Sequence, residues 1–184
     1  MAPLPRTPLL TARLLLRPYE PTDAGDFFAL LATEAQRLQS SFPDRLRTIT
    51  TLAGALQAIT GFSHDWDTGR FYVFGIWDRS TQDYLGDICL MPHPPHSGEI
   101  GYYLSTTAEG HGYAREALEA ITAFGLETLG ARQLLIRCFA DNLRGQGVAR
   151  AIGFKEEPKP KPPFWVRTLD LAPDDNIVRF VLKR

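Results

Sequence analysis

The sequence predicts a single mixed α/β (α+β) domain spanning residues 1–184, with a central, mostly antiparallel sheet of about seven strands and about four flanking helices. Three observations carry this expectation. Three apolar, alternating segments follow one another between residues 71 and 105, joined only by short polar or proline-rich connections, as in an antiparallel meander. A helix-length stretch then separates the third segment from another strand-like run, which favours a parallel pairing between those two. No internal repeat or interdomain linker interrupts the 184 residues. A chain of that length buries a sizeable core without disulfides or metals.

In chain order, Arg13 to Tyr19 is a short apolar run stopped by Pro18, which suits a first strand near a sheet edge. Thr22 or Asp23 can cap a helix over Ala24 to Thr33 that buries Phe27, Leu30 and Leu31. Gln39 to Arg45 reads as a surface loop. A second helix is expected from about Thr50 to Trp66, carrying Leu52, Leu56 and Ile59 and interrupted near Gly61. Phe71 to Trp77 and Tyr84 to Leu90 are neighbouring strands, and Pro92 to Gly98 leads into the third. Arg132 to Phe139 is the strand after the crossover. Asp141 or Asn142 starts a helix through about Ile152, ended by Gly153 before a strand from Phe154. The run Glu157 to Pro163 is a stiff extended spacer, Trp165 to Leu171 a further strand, and Ile177 to Lys183 the last one.

The chain is arranged around residues 99 to 118. Glu99 to Ser105 alternates, with Ile100, Tyr102 and Leu104 on one face and Glu99, Gly101, Tyr103 and Ser105 on the other. From Ala114 the period becomes helical, through Ala117, Leu118, Ile121 and Phe124. Gly110 and Gly112 stand at the junction, where small residues allow close approach to the backbone. A helix opening presents unpaired N–H groups and a positive dipole end, so the natural ligand of this turn is an anion such as a pyrophosphate.

Composition narrows the function. Twenty Lys plus Arg against 21 Asp plus Glu leave a net charge of −1, so no global field recruits nucleic acid or a membrane surface. No run approaches a membrane span, and the N-terminus lacks a signal-peptide pattern, which points to a soluble cytoplasmic protein. Cys89 and Cys138 make no CxxC pair and read as buried free thiols. His93 and His96 have metal-like spacing, but no third ligand accompanies them, so no metal is expected. Gly110-His111-Gly112 is half of a dinucleotide fingerprint, with Arg115 where the third glycine belongs. Walker and nucleophile-elbow motifs are absent.

The ordered set formed by Glu99-Ile-Gly-Tyr-Tyr-Leu104, Glu109-Gly-His-Gly-Tyr-Ala114, Asn142 and Gly153-Phe154 resembles the GNAT acyltransferases, in particular the RimJ/RimL-like branch that acetylates protein N-termini or small amines. The resemblance covers at least Phe71 to Phe154. It implies acetyl-CoA as co-substrate, an amine acceptor, and often a homodimer. It also implies that the backbone of Gly110, His111, Gly112, Tyr113 and Ala114 binds the pyrophosphate. The strand backbone near Tyr103 and Leu104 would meet the pantetheine arm, with a donor near Leu104 facing the developing oxyanion. Asn142 would contact the same arm. Glu99 stands where the family often has its general base, and Asp87, expected to point toward the cleft or solvent, ranks second.

Three positions depart from the pattern. Glu109 stands where Arg or Gln is usual, Gly145 where the branch has a serine, and Ala149 where the wider family often has a tyrosine acid. They motivate the competing reading of a non-catalytic acyl-CoA-binding or sensing protein.

Overall fold

The computed structural model describes residues 3–158 and 176–184. It opens with two short strands, β1 (Leu9–Leu10) and β2 (Leu14–Arg17), and continues through four helices: α1 (Ala24–Thr33), α2 (Ala35–Leu38), α3 (Pro43–Thr48) and α4 (Leu52–Asp67). The meander follows as β3 (Tyr72–Asp78), β4 (Tyr84–His93) and β5 (Ser97–Leu104). Helix α5 (Tyr113–Ala123) runs on as a π-helical turn over Phe124–Thr128 and crosses to β6 (Gln133–Phe139). Helix α6 (Leu143–Ala151), β7 (Lys155–Glu157) and β8 (Ile177–Lys183) complete the described chain.

The sheet of the described residues has eight strands in the order β1-β2-β3-β4-β5-β6-β8-β7. Every pairing is antiparallel except β5 with β6, which is parallel as the intervening helix requires. The count exceeds the expected seven because the two-residue β1 adds an edge strand too short to show a period. The expected strand over Trp165 to Leu171, and the spacer from Lys159 onward, lie outside the described residues.

Alternation along the strands divides the core in two. Ile100 and Leu104 of β5 join Ile88, Leu90, Leu134, Ile136 and Phe180 beneath Ala117, Leu118 and Ile121 of α5. On the other face, Tyr103, Cys89, Val73 and Trp77 pack against Phe27 and Leu31 of α1 and Ile59 of α4. The buried stripe expected of α1 is present, with Ala24 added. Asp23 does not cap α1. Its carboxylate accepts from Arg17 at 2.7 and 2.8 Å and from the Glu20 amide at 2.7 Å.

Three expectations on this face need correction. Helix α4 runs unbroken through Gly61, which is exposed, so the glycine penalty of about 1 kcal/mol is outweighed by burial of Ala55, Ile59 and Trp66. Leu52 and Leu56, expected in the stripe, are exposed instead. The segment Gln39 to Arg45 is not a simple surface loop, because Pro43 opens α3 and Arg45 turns into the second core.

Arg45 is drawn inward by Asp87, which is not cleft-facing but completely buried. Asp87 Oδ2 accepts from Arg45, from the Tyr103 hydroxyl at 2.9 Å and from the Tyr19 hydroxyl at 3.0 Å, while Oδ1 has no partner among the described residues. Phe42 and Phe62 flank the guanidinium at 5.8 and 5.3 Å. Burial opposes the Arg45 charge, yet Asp87 holds its pKa well above the ordinary guanidinium value. Burial raises the pKa of Asp87, against the pull of Arg45 and the tyrosine hydroxyls. Breaking such a pair is more damaging than never having it. Arg45→Met is therefore expected to lose about 3–5 kcal/mol of stability in urea unfolding, by stranding a buried carboxylate. Adding Asp87→Asn should recover much of the loss; a double variant as unstable as the single one would locate the effect in packing instead.

Candidate active site

The site begins where β5 and β6 stop pairing. Their register runs from Ser97↔Gln133 to Ile100↔Ile136 and ends there. Beyond that point β5 stays paired with β4 as far as Gly86↔Leu104, and β6 stays paired with β8 as far as Phe139↔Ile177. Each strand is held by its outer neighbour, so the two splay and leave a cleft of about 390 Å³. Glu99, Gly101, Tyr102, Cys138, Asn142 and Gly145 are among its lining residues.

The direction of the strand amides follows from one hydrogen bond. The Ser105 amide donates to the Leu85 carbonyl at 2.8 Å, so odd-numbered residues of β5 turn their backbone groups toward β4. Tyr102 and Leu104 turn theirs toward the cleft. This corrects the expectation for Tyr103, whose amide faces β4 and whose side chain joins Asp87 on the opposite face. The Leu104 carbonyl accepts from Arg37.

At the cleft's end, a short 3₁₀ turn over Thr106–Ala108 leads through Gly110 to Gly112, which precedes α5. Gly110 and Gly112 have φ of +81° and +79°, the left-handed region that side-chain-bearing residues avoid. Gly112 offers no side chain to cap the helix, so the amides of Tyr113, Ala114 and Arg115 have neither a carbonyl one turn back nor a cap. In the loop the His111 and Tyr113 rings stack with centroids 5.7 Å apart.

Side chains remote in sequence fix this loop. Glu34 accepts from the Thr106 amide at 2.7 Å and its hydroxyl at 2.8 Å. Partial burial works against its carboxylate, but the Thr106 amide, Arg37 and the Thr106 hydroxyl lower its pKa. Arg13 donates to the His111 carbonyl at 2.8 Å and is held by Glu116 in the first turn of α5. The Tyr113 hydroxyl donates to Asp78 at 2.9 Å. Hydrogen bonds from the Ser80 hydroxyl and amide, then from Tyr113 and Thr81, keep the Asp78 carboxyl well below the usual range. Glu109, which would repel a phosphate if alone, is paired with Arg37 at 3.1 Å and Arg144 at 2.7 Å.

Glu99 lines the cleft with Oε1 accepting from Arg137 at 2.7 Å and Oε2 3.8 Å from His93. Asn142 precedes α6, and its Oδ1 accepts from the Gly145 amide at 2.9 Å. A Cβ at position 145 would meet the Asn142 carboxamide at 2.7 Å, so a larger residue there would shift that side chain. The Tyr102 hydroxyl is buried in the cleft wall and has no hydrogen-bond partner among the described residues. Burial raises its pKa and pushes that of Cys138 up to about 11. Ala149 is fully buried and offers no acid.

A larger groove of about 720 Å³ runs beside α1 and the loop. Asp26, Glu34, Asp78 and Asp83 line it together with His111 and Tyr113 of the loop. Among the described residues, no group of three or more His, Cys, Asp and Glu could hold a metal ion, and no helix is long and apolar enough to cross a membrane. Sequence spacing does not reveal Arg13, Glu34 and Arg37, which reach the loop from distant parts of the chain. Arg144 had one available signal, a cation placed at the unfavourable end of a helix dipole.

Residues 13–155 match the model of the acetyltransferase (GNAT) domain. An uncharacterised N-acetyltransferase, YnaD of Bacillus subtilis (strain 168), is 29% identical over 62 residues, which cover 34% of this chain and 36% of that protein. Among solved structures, RimL, a ribosomal L7/L12 alpha-N-protein acetyltransferase in complex with coenzyme A, superposes with a TM-score of 0.80 at 18% identity, covering 96% of this chain and 98% of the other. The ribosomal-protein-S5-alanine acetyltransferase of Vibrio fischeri gives a TM-score of 0.80 at 16% identity, covering 96% of both chains. At such identities these two likenesses speak for the fold, whereas the domain match spans most of the sequence, glycine loop included: the chain belongs to the GNAT acetyltransferase family.

Proposed function

We propose that the protein transfers an acetyl group from acetyl-CoA to a primary amine, either a protein N-terminal α-amine or a small-molecule amine, by direct attack in a ternary complex. The observation that carries this reading is the splay of β5 from β6 beyond Ile100, ending at the glycine loop. An extended thioester arm lying in the cleft would meet the backbone of Tyr102 and Leu104, and its pyrophosphate the amides of residues 110 to 114. Asn142 spends its oxygen on Gly145 and keeps its amide nitrogen as a donor toward the arm. RimL, one of the similar folds, was solved with coenzyme A.

The chemistry asks for a neutral amine, an oriented thioester and a donor for the oxyanion. The Leu104 amide, turned to the cleft, would take the last role. Removing the proton from an α-amine of pKa about 7.7–8.0 costs about 1 kcal/mol at pH 7, against about 4–5 kcal/mol for a lysine near 10.4. Glu99 in the cleft wall would accept that proton directly or through water, which suits α-amines better than lysines. Collapse of the tetrahedral intermediate breaks the C–S bond, and the thiolate takes a proton from water, since Gly145 and Ala149 supply none. Both cysteines are free and buried, as in a reducing compartment, which supports a cytoplasmic location.

The absence of an acid at 145 and 149 favours one second reading, a protein that binds acyl-CoA without turnover. Calorimetry with acetyl-CoA and a thiol-release assay on amines separate the two. We expect stoichiometric binding and CoA release with peptides bearing free α-amines; binding with no release on any amine would support the sensor, and no binding would exclude both. Glu99→Gln is expected to lower kcat by about 10²-fold at pH 7 with acetyl-CoA affinity nearly intact, and to lose less at a pH where the amine is already neutral. An unchanged pH–rate profile would remove Glu99 from the mechanism.

A further inference from the structure

Glu109 sits three residues before Gly112, in a loop whose amides suit an anion, yet its carboxylate is not left to repel one. Two guanidiniums hold it, and they are held very differently. Arg37 is tied on all three nitrogens: Nε to Glu34 at 2.7 Å, Nη2 to the Leu104 carbonyl, and Nη1 to Glu109 at 3.1 Å. Among the described residues Arg144 makes one contact, Nη1 to Glu109 at 2.7 Å, and its side chain is 85% exposed. Four of its five N–H donors therefore face solvent.

Its position on α6 adds a second argument. Arg144 is the second residue of that helix, at the positive end of the dipole, where a cation is disfavoured and an anion is wanted. Nothing local rewards a guanidinium there, because the first turn of α6 contains no acidic residue. Its anionic partner comes from the glycine loop across the cleft mouth. Glu34 and Glu109 balance Arg37 and Arg144 in charge, so an arriving dianion meets a neutral cluster with one loosely held cation.

We infer that Arg144 is a binding residue for the pyrophosphate of the CoA co-substrate, kept in place by Glu109 and transferred from that carboxylate to the phosphate oxygens on binding. Glu109 then keeps its contact with Arg37, which it shares with Glu34, and the cation that the family pattern puts at position 109 is supplied from α6 instead. This rests on the acetyl-CoA reading above. Guanidinium matches phosphate with two parallel hydrogen bonds, a geometry that a lysine does not reproduce.

Calorimetry on the full chain with CoA and with dephospho-CoA, each at low and high salt, tests the inference. Arg144→Gln should weaken CoA about tenfold and flatten the salt dependence, and Arg144→Lys should recover only part of the loss. The same loss is expected with dephospho-CoA, which retains the pyrophosphate. Glu109→Gln should tighten CoA several-fold in the wild-type background by freeing Arg144, and should not do so in the Arg144→Gln background. Wild-type binding that Arg144→Gln leaves unchanged would overturn the inference while leaving the acetyl-CoA reading intact. A loss that disappears with dephospho-CoA would move the contact to the 3′-phosphate and overturn the assignment. Failure of the wild type to bind CoA at all would instead sink the reading on which the inference stands.

Discussion

Four residue pairs join β5 to β6, and then the two strands part in the middle of an otherwise continuous sheet. Unsatisfied backbone groups cost about 1–3 kcal/mol each when buried, so a seam of this kind does not persist without restraint. The restraint comes from outside it. The β4–β5 and β6–β8 ladders continue past the point of separation and pull in opposite directions, while α6 starts at the far end of β6 and closes the wedge. The result is a slot lined by main-chain donors and acceptors, opening onto the N-terminus of α5.

The loop at the end of the slot packs Ala108, Tyr113 and Ala114 against the core and is oriented by polar links from distant elements. Glu34 and Arg37 fasten it to the α1–α2 corner, Glu116 and Arg13 to the β1–β2 turn, and Asp78 to the end of β3. Partly exposed pairs such as Arg37–Glu109 contribute only about 0–1 kcal/mol each, whereas Glu34 and Asp78 are buried and hydrogen-bonded to the loop. Their effect is positional. Elements that share no sequence proximity converge on one short loop, and the amides of the helix opening keep a fixed direction.

Much of the fold is legible in the sequence because its signals are local. The alternation of Glu99 to Ser105 places Ile100 and Leu104 on one core and Tyr103 on the other, and both assignments match the packing. The helical period after Ala114 and the asparagine start of α6 are equally plain. The misses share a cause. Intrinsic propensity alone makes Gly61 a break, whereas Ile59 and Trp66 hold α4 through their packing. Arg45 lies in a stretch rich in Ser, Pro and charged residues, which reads as solvent-facing, and only the buried carboxylate of Asp87 explains why it turns inward. Tyr103 invites a backbone role because it lies beside Leu104, but strand pleating sends neighbouring amides in opposite directions.

The sequence by itself determined the strand and helix periods, the glycines between β5 and α5, and the family to which they point. Those are short-range properties, written in spacings of two to four residues that constrain any fold the chain adopts. Tertiary structure alone decided where β5 and β6 separate, which strand amides face the slot, and that Glu109 meets two arginines from elsewhere. A charged side chain is nearly as well solvated alone as paired, so its partner leaves no trace in a linear pattern. Pairing registers likewise depend on what the outer strands do, and that is settled only when the whole sheet has formed.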